Sequence, residues 1–179
     1  TAARTTADKG HEAYQQLFAA CASVMELIVR NPKPVIAEVA GTATAAGCQL
    51  VASCDLAMAS NTVKFATPGV NLGLFCSTPM VALSRNVSRK HAMEMLLSGD
   101  MVDASRAEQI GLINRAFNPD QLTSETMAMA LKIASKSAMT IAIGKRAFYE
   151  QAEMPLNEAY AYTSQVMTEN MLTRDAEEG

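Results

Sequence analysis

A run of small residues in the stretch GTATAAGCQL, residues 41–50, is the part of this sequence best suited to chemistry. Ala45, Ala46 and Gly47 lie where a turn gives way to a predicted helix, and small side chains there let another molecule approach the backbone. The first N–H groups of a helix have no partner within it and lie at the positive end of its dipole. Taken alone, these small residues favour a tight turn packed on a sheet, although such free N–H groups also suit a negatively charged oxygen atom.

Acid–base chemistry at this turn would need a group that can take up a proton, and the nearby residues do not provide one. Gln49 stands two residues beyond Gly47, and a neutral amide is not a base at ordinary pH. Ser77 and Thr78 can orient a ligand or a water molecule, but they cannot serve as ordinary bases either. Cys76 would need a lowered pKa to act as a nucleophile, and we expect a buried, inert thiol instead.

Other charged residues are expected to lie in solvent. His91 is predicted on the surface of a helix, and Glu38 in a strand is expected to be a surface or subunit-contact carboxylate. Lys145 and Arg146 could meet the phosphates of a ligand, but the preferred interpretation is a solvated helix face. Cys48 and Cys54 lie among apolar residues and are predicted to be small buried hydrophobic groups.

The elements that must position these residues alternate between strand and helix up to Phe117, after which helices follow. Residues 1–10 are expected to be a loop or a frayed end. Short apolar runs predict strands over 35–39, 55–60, 61–68 and 112–117. Helical spacing and end signals predict helices over 12–29, 46–53, 80–86, 89–97, 103–111, 119–135, 137–152 and 155–172. A turn over 41–45 and a loop over 69–79 are expected between them.

The composition of the 179 residues limits the classes of function that remain open. A hydrophobic fraction of 49% is enough for a core, and a net charge of −3 argues against nucleic-acid or membrane-surface binding. No apolar run reaches the ~18 residues that span a bilayer. The four cysteines fit no zinc spacing, so we expect no metal site, reduced thiols and an intracellular compartment.

Three blocks of the sequence resemble the crotonase superfamily, the enoyl-CoA hydratase and isomerase group. They are KPVIAEVAGTATAAGCQLVASCDLAMAS, KFATPGVNLGL and AMEMLLSGDMVDASRAEQIGLINRAF, and they cover most of residues 33–118 in the order and spacing of the family. The details ATAAGCQLVASCD and FATPGVN are similar in particular to the enoyl-CoA hydratase domain-containing protein 3 subgroup. The helical region that follows fits the family more loosely.

This resemblance implies a mixed α/β fold, a spiral of strand–strand–helix units followed by a C-terminal helical region. Residues 1–118 would form part of the spiral core, and 119–179 would cover the site and join subunits into a homotrimer or a dimer of trimers. The first strands of the family fold and one of its two thioester N–H donors would precede this chain. The resemblance assigns the other donor to the backbone of Ala46.

The resemblance also places the two glutamates that hydratases use as general acid and base. The first corresponds to Gln49 and the second to Gly69, so both carboxylates are replaced. The aspartate of a dienoyl-type isomerase has no counterpart in residues 74–78, where Ser77 is the nearest equivalent. Contacts with the acyl-CoA would come from Ala45, Gly47, Thr67, Leu74 and Ser77.

We therefore predict an acyl-CoA-binding protein of this family with half of an oxyanion hole and without enoyl-CoA hydratase activity. The CoA thioester would be substrate or ligand, and no cofactor is expected. Two alternatives remain open: an active hydratase or isomerase of fatty-acid metabolism whose base comes from the preceding segment, and a structural subunit that binds no ligand. The compartment would be the cytoplasm in a bacterium and the mitochondrion in a eukaryote.

Overall fold

The computed structural model describes residues 8–173 and residue 175. Two small sheets and a set of helices make up this part of the chain. The helices are α1 His11–Arg30, α2 Ala46–Ser53, α3 Ser77–Asn86, α4 Arg89–Ser98, α5 Ala104–Gln109, α6 Leu122–Ala134, α7 Ala138–Gln151 and α8 Leu156–Met171, with a 3-10 helix over Pro68–Leu72. The strands are β1 Ile36–Val39, β2 Ala43–Thr44, β3 Leu56–Ser60, β4 Lys64–Ala66, β5 Val102–Asp103 and β6 Arg115–Phe117.

Both sheets have three strands each within the described residues, and their pairing follows the alternation of strand and helix. The first sheet has the order β1-β3-β6 and is parallel throughout. In the second sheet, β2 pairs with β4 in parallel and β4 pairs with β5 in antiparallel fashion. Helix α2 links β2 of one sheet to β3 of the other, so the residues of the small turn lie at the crossing between the sheets.

The core extends from α2 and the strands beside it to the inner faces of α3, α4 and α5. Cys48 is 1% exposed, and Phe65 on β4 is fully buried. Helix α2 packs against α3, and α6 packs across the first sheet. A helix of only 8 residues is not stable by itself, so α2 depends on this packing for its stability and its direction.

Most predicted elements are confirmed, and α2 has the predicted bounds. Four predictions are wrong in part. The turn over 41–45 contains strand β2, and the loop over 69–79 contains most of the 3-10 helix and the start of α3. The strands predicted over 61–68 and 112–117 are limited to Lys64–Ala66 and Arg115–Phe117. Strand β5 was not predicted, because two-residue strands carry no periodicity and form only through their partners.

The end signals of two helices behave as the sequence predicts. Asp103 caps α5, with its carboxylate accepting a hydrogen bond of 2.8 Å from the Arg106 N–H. Gly99 ends α4 in the left-handed conformation, with φ of 67°. The predicted loose N-terminal end lies largely outside the described residues, although residues 8–10 form a turn that leads into α1. The proposed boundary between 118 and 119 stays a prediction.

Helix α1 has no buried residue, although its apolar side chains recur at helical spacing. Exposed apolar residues also occur on α8 and on the loop before α3. Within the described ranges, none of the helices is long and apolar enough to cross a bilayer.

Candidate active site

The turn before α2 has a strained backbone. Ala45 has φ of 48° and ψ of −114°, a combination that residues with a side chain rarely adopt. Its N–H donates to the carbonyl of Ala66 at 2.9 Å, and its own carbonyl accepts from the Gln49 N–H at 2.9 Å. Such a conformation costs about 1–3 kcal/mol and persists only where the surroundings hold it. Here the end of β4 and the first hydrogen bond of α2 hold it.

The first N–H group of α2 follows directly on the strained turn. Ala46 is the first residue of α2 and is exposed. No described residue accepts a hydrogen bond from its N–H. A methyl group added at Gly47 would meet only the Cβ of Ala43, at 3.8 Å, so this side of the turn is open. The turn thus offers an unsatisfied donor to a ligand, as the predicted oxyanion site requires.

Strand β4 brings the second predicted position to the same place. Because β2 and β4 are parallel, the turn after β2 and the segment after β4 leave the sheet at the same edge. Ala66 ends β4 and holds Ala45, and Thr67, Pro68 and Gly69 follow directly. Sequence reasoning missed the role of the Ala66 carbonyl, because it depends on a strand pairing that no local pattern indicates.

Gly69, the position that the resemblance assigns to the second hydratase glutamate, has no room for a side chain. A Cβ on Gly69 would lie 2.7 Å from the carbonyl oxygen of Leu74 and 2.9 Å from the Sγ of Cys76. The Gly69 N–H donates to that sulfur at 3.3 Å, and the Gly69 carbonyl accepts from the Leu74 N–H at 2.9 Å. The loop before α3 therefore folds back on Gly69, and no side chain fits there without a shift of the backbone.

The two polar residues nearest these positions can hydrogen-bond a ligand but cannot act as bases. Gln49 is 5% exposed, and its side-chain amide has no hydrogen-bond partner among the described residues. Thr67 is fully buried, and its hydroxyl has no partner in that part of the chain either. Buried polar groups in native proteins normally have hydrogen-bond partners. A water molecule or a ligand would supply the partner that each of these two groups lacks.

The other two predicted contact residues lie on the loop before α3 and at its start. Leu74 is 60% exposed, and Ser77 is exposed as well. The Ser77 hydroxyl donates to the Phe75 carbonyl at 3.4 Å, and no hydrogen bond in the described region joins it to the turn at Ala45. The geometry thus brings Thr67 and Gly69 to the turn, whereas Leu74 reaches the site through its carbonyl beside Gly69.

Burial keeps two of the cysteines near the site, Cys48 and Cys54, in the protonated thiol form. Burial, and then the proximity of Cys76, raises the pKa of Cys48 from 9.0 to about 12. Cys76 is 8% exposed, which confirms the expectation of a buried thiol. The prediction for Cys54 is wrong in part, because it is only half-buried; burial raises its pKa too, and its thiol donates to the Leu50 carbonyl at 3.3 Å.

The prediction that Lys145 lies on a solvated face is wrong. Its ammonium is buried and lies 2.7 Å from a carboxylate oxygen of Asp55. Glu38 is exposed, as predicted, and accepts a hydrogen bond of 2.7 Å from the Thr123 hydroxyl. His91 is half-buried and lies 3.2 Å from a guanidinium nitrogen of Arg106. No group of three potential metal ligands occurs in residues 8–173 with 175.

Comparison with known proteins relates the sequence of this chain to one family. The family model described as enoyl-CoA hydratase/isomerase matches residues 3–179. The mitochondrial enoyl-CoA hydratase domain-containing protein 3 of Xenopus laevis is 51% identical over 174 residues, which are 97% of this chain and 59% of that protein. The human protein of the same name is 49% identical over 174 residues, 97% of this chain and 57% of its own length. The chain thus spans less than two thirds of these curated relatives.

Solved structures give the same result for the fold. A crystal structure of an enoyl-CoA hydratase of Mycobacterium smegmatis has a TM-score of 0.94 and 50% identity, covering 98% of this chain and 68% of that one. The crystal structure of human enoyl-CoA hydratase domain-containing protein 3 has a TM-score of 0.94 and 49% identity, covering 100% and 71%. The predicted fold class and the predicted similarity to that subgroup are confirmed. The chain belongs to the enoyl-CoA hydratase/isomerase family, the crotonase superfamily.

Proposed function

We propose that the chain binds an acyl-CoA thioester with the carbonyl oxygen at the Ala46 N–H. The observation that carries this proposal is the strained backbone of Ala45, which leaves the first donor of α2 exposed and unpaired. A turn that served only to pack β2 against β4 would gain nothing from this strain. A hydrogen-bond donor held rigidly in place is what stabilises an oxyanion or enolate effectively.

The bound thioester would be polarised but not hydrated by general acid–base catalysis. Hydration needs groups that move protons to and from water, and such groups typically contribute ~10²–10⁴-fold to the rate. At Gln49 the site has an amide, and at Gly69 the loop carbonyl of Leu74 fills the space next to the backbone. The site can therefore bind a thioester and favour its enolate form without the acid and base of a hydratase.

The remaining parts of the site belong to the same proposal. Removing one oxyanion-hole donor costs an enzyme about 2.7–4 kcal/mol of transition-state stabilisation, so a single retained donor is chemically useful. The resemblance assigns a second donor and the adenine contacts to a segment that precedes this chain. Gln49 and Thr67 would orient the acyl group or a water molecule through their unpaired amide and hydroxyl.

Assembly and compartment are proposed from the family as well. We expect a homotrimer or a dimer of trimers, in which α6, α7 and α8 supply the contacts between subunits. The vertebrate relatives carry the word mitochondrial in their names. A eukaryotic source would therefore imply mitochondria and a bacterial source the cytoplasm.

The test is to measure binding and turnover on the same preparation of the intact protein. We expect saturable binding of acetoacetyl-CoA, which resembles the enolate, and much weaker binding of free CoA. Crotonyl-CoA incubated with the protein should lose its enoyl absorbance no faster than in buffer. Rapid hydration by the unmodified protein would contradict the proposed loss of activity, and equal affinity for the two ligands would contradict the thioester site.

A further inference from the structure

A buried ion pair joins helix α7 to the segment that carries the donor turn. The Lys145 ammonium lies 2.7 Å from the Asp55 carboxylate, and the two side chains are 7% and 15% exposed. The same nitrogen donates to the carbonyls of Ile28 at 2.9 Å and Lys33 at 3.1 Å. Three acceptors thus use the three donors of the ammonium, as a buried lysine requires.

The carboxylate of Asp55 is satisfied just as fully. One oxygen accepts from the Val35 N–H at 2.7 Å, in addition to Lys145, and the other accepts from the Tyr149 hydroxyl at 2.9 Å. Lys145 and Tyr149 are one turn apart on α7, so they reach the carboxylate from the same face of the helix. The pair therefore stands in a complete hydrogen-bond network and not in a solvated contact.

The network closes the segment of chain that contains the donor turn. Val35 and Asp55 exchange hydrogen bonds, because the Asp55 N–H also donates to the Val35 carbonyl at 3.0 Å. The residues between them comprise β1, β2, the strained turn and α2. Both ends of this segment are thus held at one carboxylate, and Lys145 attaches that carboxylate to α7.

Helix α2 transmits the position of this anchor to the turn. It begins at Ala46 and ends at Ser53, and Asp55 follows two residues later. A helix of this length spans about 12 Å and is stiff, so a fixed C-terminal end restricts the direction of its first N–H groups. At the other end of the segment, Val35 leads into β1, which is held in place by its pairing with β3 from Ile36 onward.

We propose that Asp55 and Lys145 are positioning residues for the Ala46 donor, an inference that rests on the proposed thioester site. The C-terminal helical region then has a role inside the subunit in addition to any role in assembly. Neither residue touches the ligand. They act by holding both ends of the segment in which the donor lies.

The test replaces both charges together, because removing one partner would leave the other charged group buried and unpaired. The variant is Asp55→Asn with Lys145→Met, in which the amide oxygen can still accept from the Val35 N–H. The matched control is Arg146→Met, which removes an exposed cation from the neighbouring position of α7. Circular dichroism and the melting temperature establish that each variant is folded before binding is measured.

The readout is the ratio of the affinities for acetoacetyl-CoA and free CoA in the intact protein. We expect this ratio to fall at least tenfold in the double variant, through weaker binding of acetoacetyl-CoA, and to stay unchanged in the control. A folded double variant with an unchanged ratio overturns the positioning role while leaving the proposed function intact. An unmodified protein that does not distinguish the two ligands overturns both. If the double variant does not fold, the milder Tyr149→Phe variant, which keeps both charges and removes one hydrogen bond to the Asp55 carboxylate, must lower the ratio, or the inference is wrong.

Discussion

Two single residues define what the site can do. Ala45 adopts a backbone conformation suited to glycine, and in doing so it leaves the Ala46 N–H free for a ligand. At Gly69 the φ angle is one that any residue can adopt, but the surrounding atoms leave no room for a side chain. In the proposed site, the first residue would support binding of an oxyanion, and the second leaves no space for a catalytic acid.

The strain at Ala45 can be measured as stability. Replacing Ala45 with glycine removes the Cβ that opposes a φ of 48°. After allowing for the greater freedom of glycine in the unfolded chain, we expect the free energy of unfolding to rise by about 1 kcal/mol. Denaturant titration measures it, and Ala128→Gly on the exposed face of α6 should instead lower it by a similar amount. A loss of stability in Ala45→Gly would show that the turn is not strained.

The lack of space around Gly69 predicts that alanine lowers the stability of the protein at Gly69 but not at Gly47. Gly69→Ala should lower the free energy of unfolding by about 1–3 kcal/mol, because its methyl group would lie 2.7 Å from the Leu74 carbonyl. Gly47→Ala is the matched control and should be tolerated, since its nearest neighbour would be at 3.8 Å. Thermal melts of both variants compare them directly. Equal stability of the two would mean that the loop yields easily, and a glutamate at 69 would then be a feasible restoration.

The proposed site depends on helix α2. The buried cysteine on this helix makes the free energy of unfolding depend on pH in the alkaline range. The pKa of Cys48 is raised from 9.0 to about 12 in the folded chain, so the unfolded chain loses this proton first as pH rises. The stability that the neutral thiol provides is present below pH 9.0 and is lost as pH rises toward about 12. Between these two pKa values, Cys48 lowers the free energy of unfolding by about 1.4 kcal/mol for each unit of pH.

Cys48→Ala should therefore flatten the fall in stability over this range, as measured by urea unfolding at a series of alkaline pH values. The comparison with Cys21→Ala isolates the effect of burial, because Cys21 on α1 is only half-buried. Parallel pH profiles for all three proteins would contradict the assigned environment of Cys48.

At this scale the sequence predicts the longer elements well and the tertiary contacts poorly. The bounds of α2 follow from a small-residue turn and an apolar helical face, both of which are local. Strands β2 and β5 have two residues each and depend on β4 for their existence. The burial of Lys145 could not be predicted, since its partner Asp55 lies 90 positions away and a lysine on a helix is usually solvated.

At the scale of the whole molecule, many large apolar side chains among the described residues are exposed. On α8, four exposed apolar residues recur at spacings of four, seven and four, and so they lie on one face: Leu156, Tyr160, Met167 and Met171. We expect a neighbouring subunit to cover this face in the proposed trimer. An exposed patch of this kind marks an interaction surface.

Tyr160→Arg combined with Met167→Arg should dissociate the assembly, because two buried cations without partners are costly at an interface. Light scattering after size exclusion gives the mass of the variant and of the intact protein. Gln165→Arg, on another face of α8, is the control and should leave the mass unchanged. A monomeric unmodified protein, or a double variant with the original mass, would contradict the proposed contact.

The most direct test of the central claim removes the Ala46 N–H alone. Proline is favoured at the first position of a helix and has no N–H, but its ring would collide with the Cβ of Ala45. The measurement is therefore a calorimetric titration of acetoacetyl-CoA into Ala45→Gly/Ala46→Pro, with Ala45→Gly as the reference. The account predicts binding weaker by roughly tenfold to a hundredfold, as expected for a lost hydrogen bond to a charged oxygen. Equal affinity of the two variants would contradict it, because the ligand would then not use the Ala46 donor.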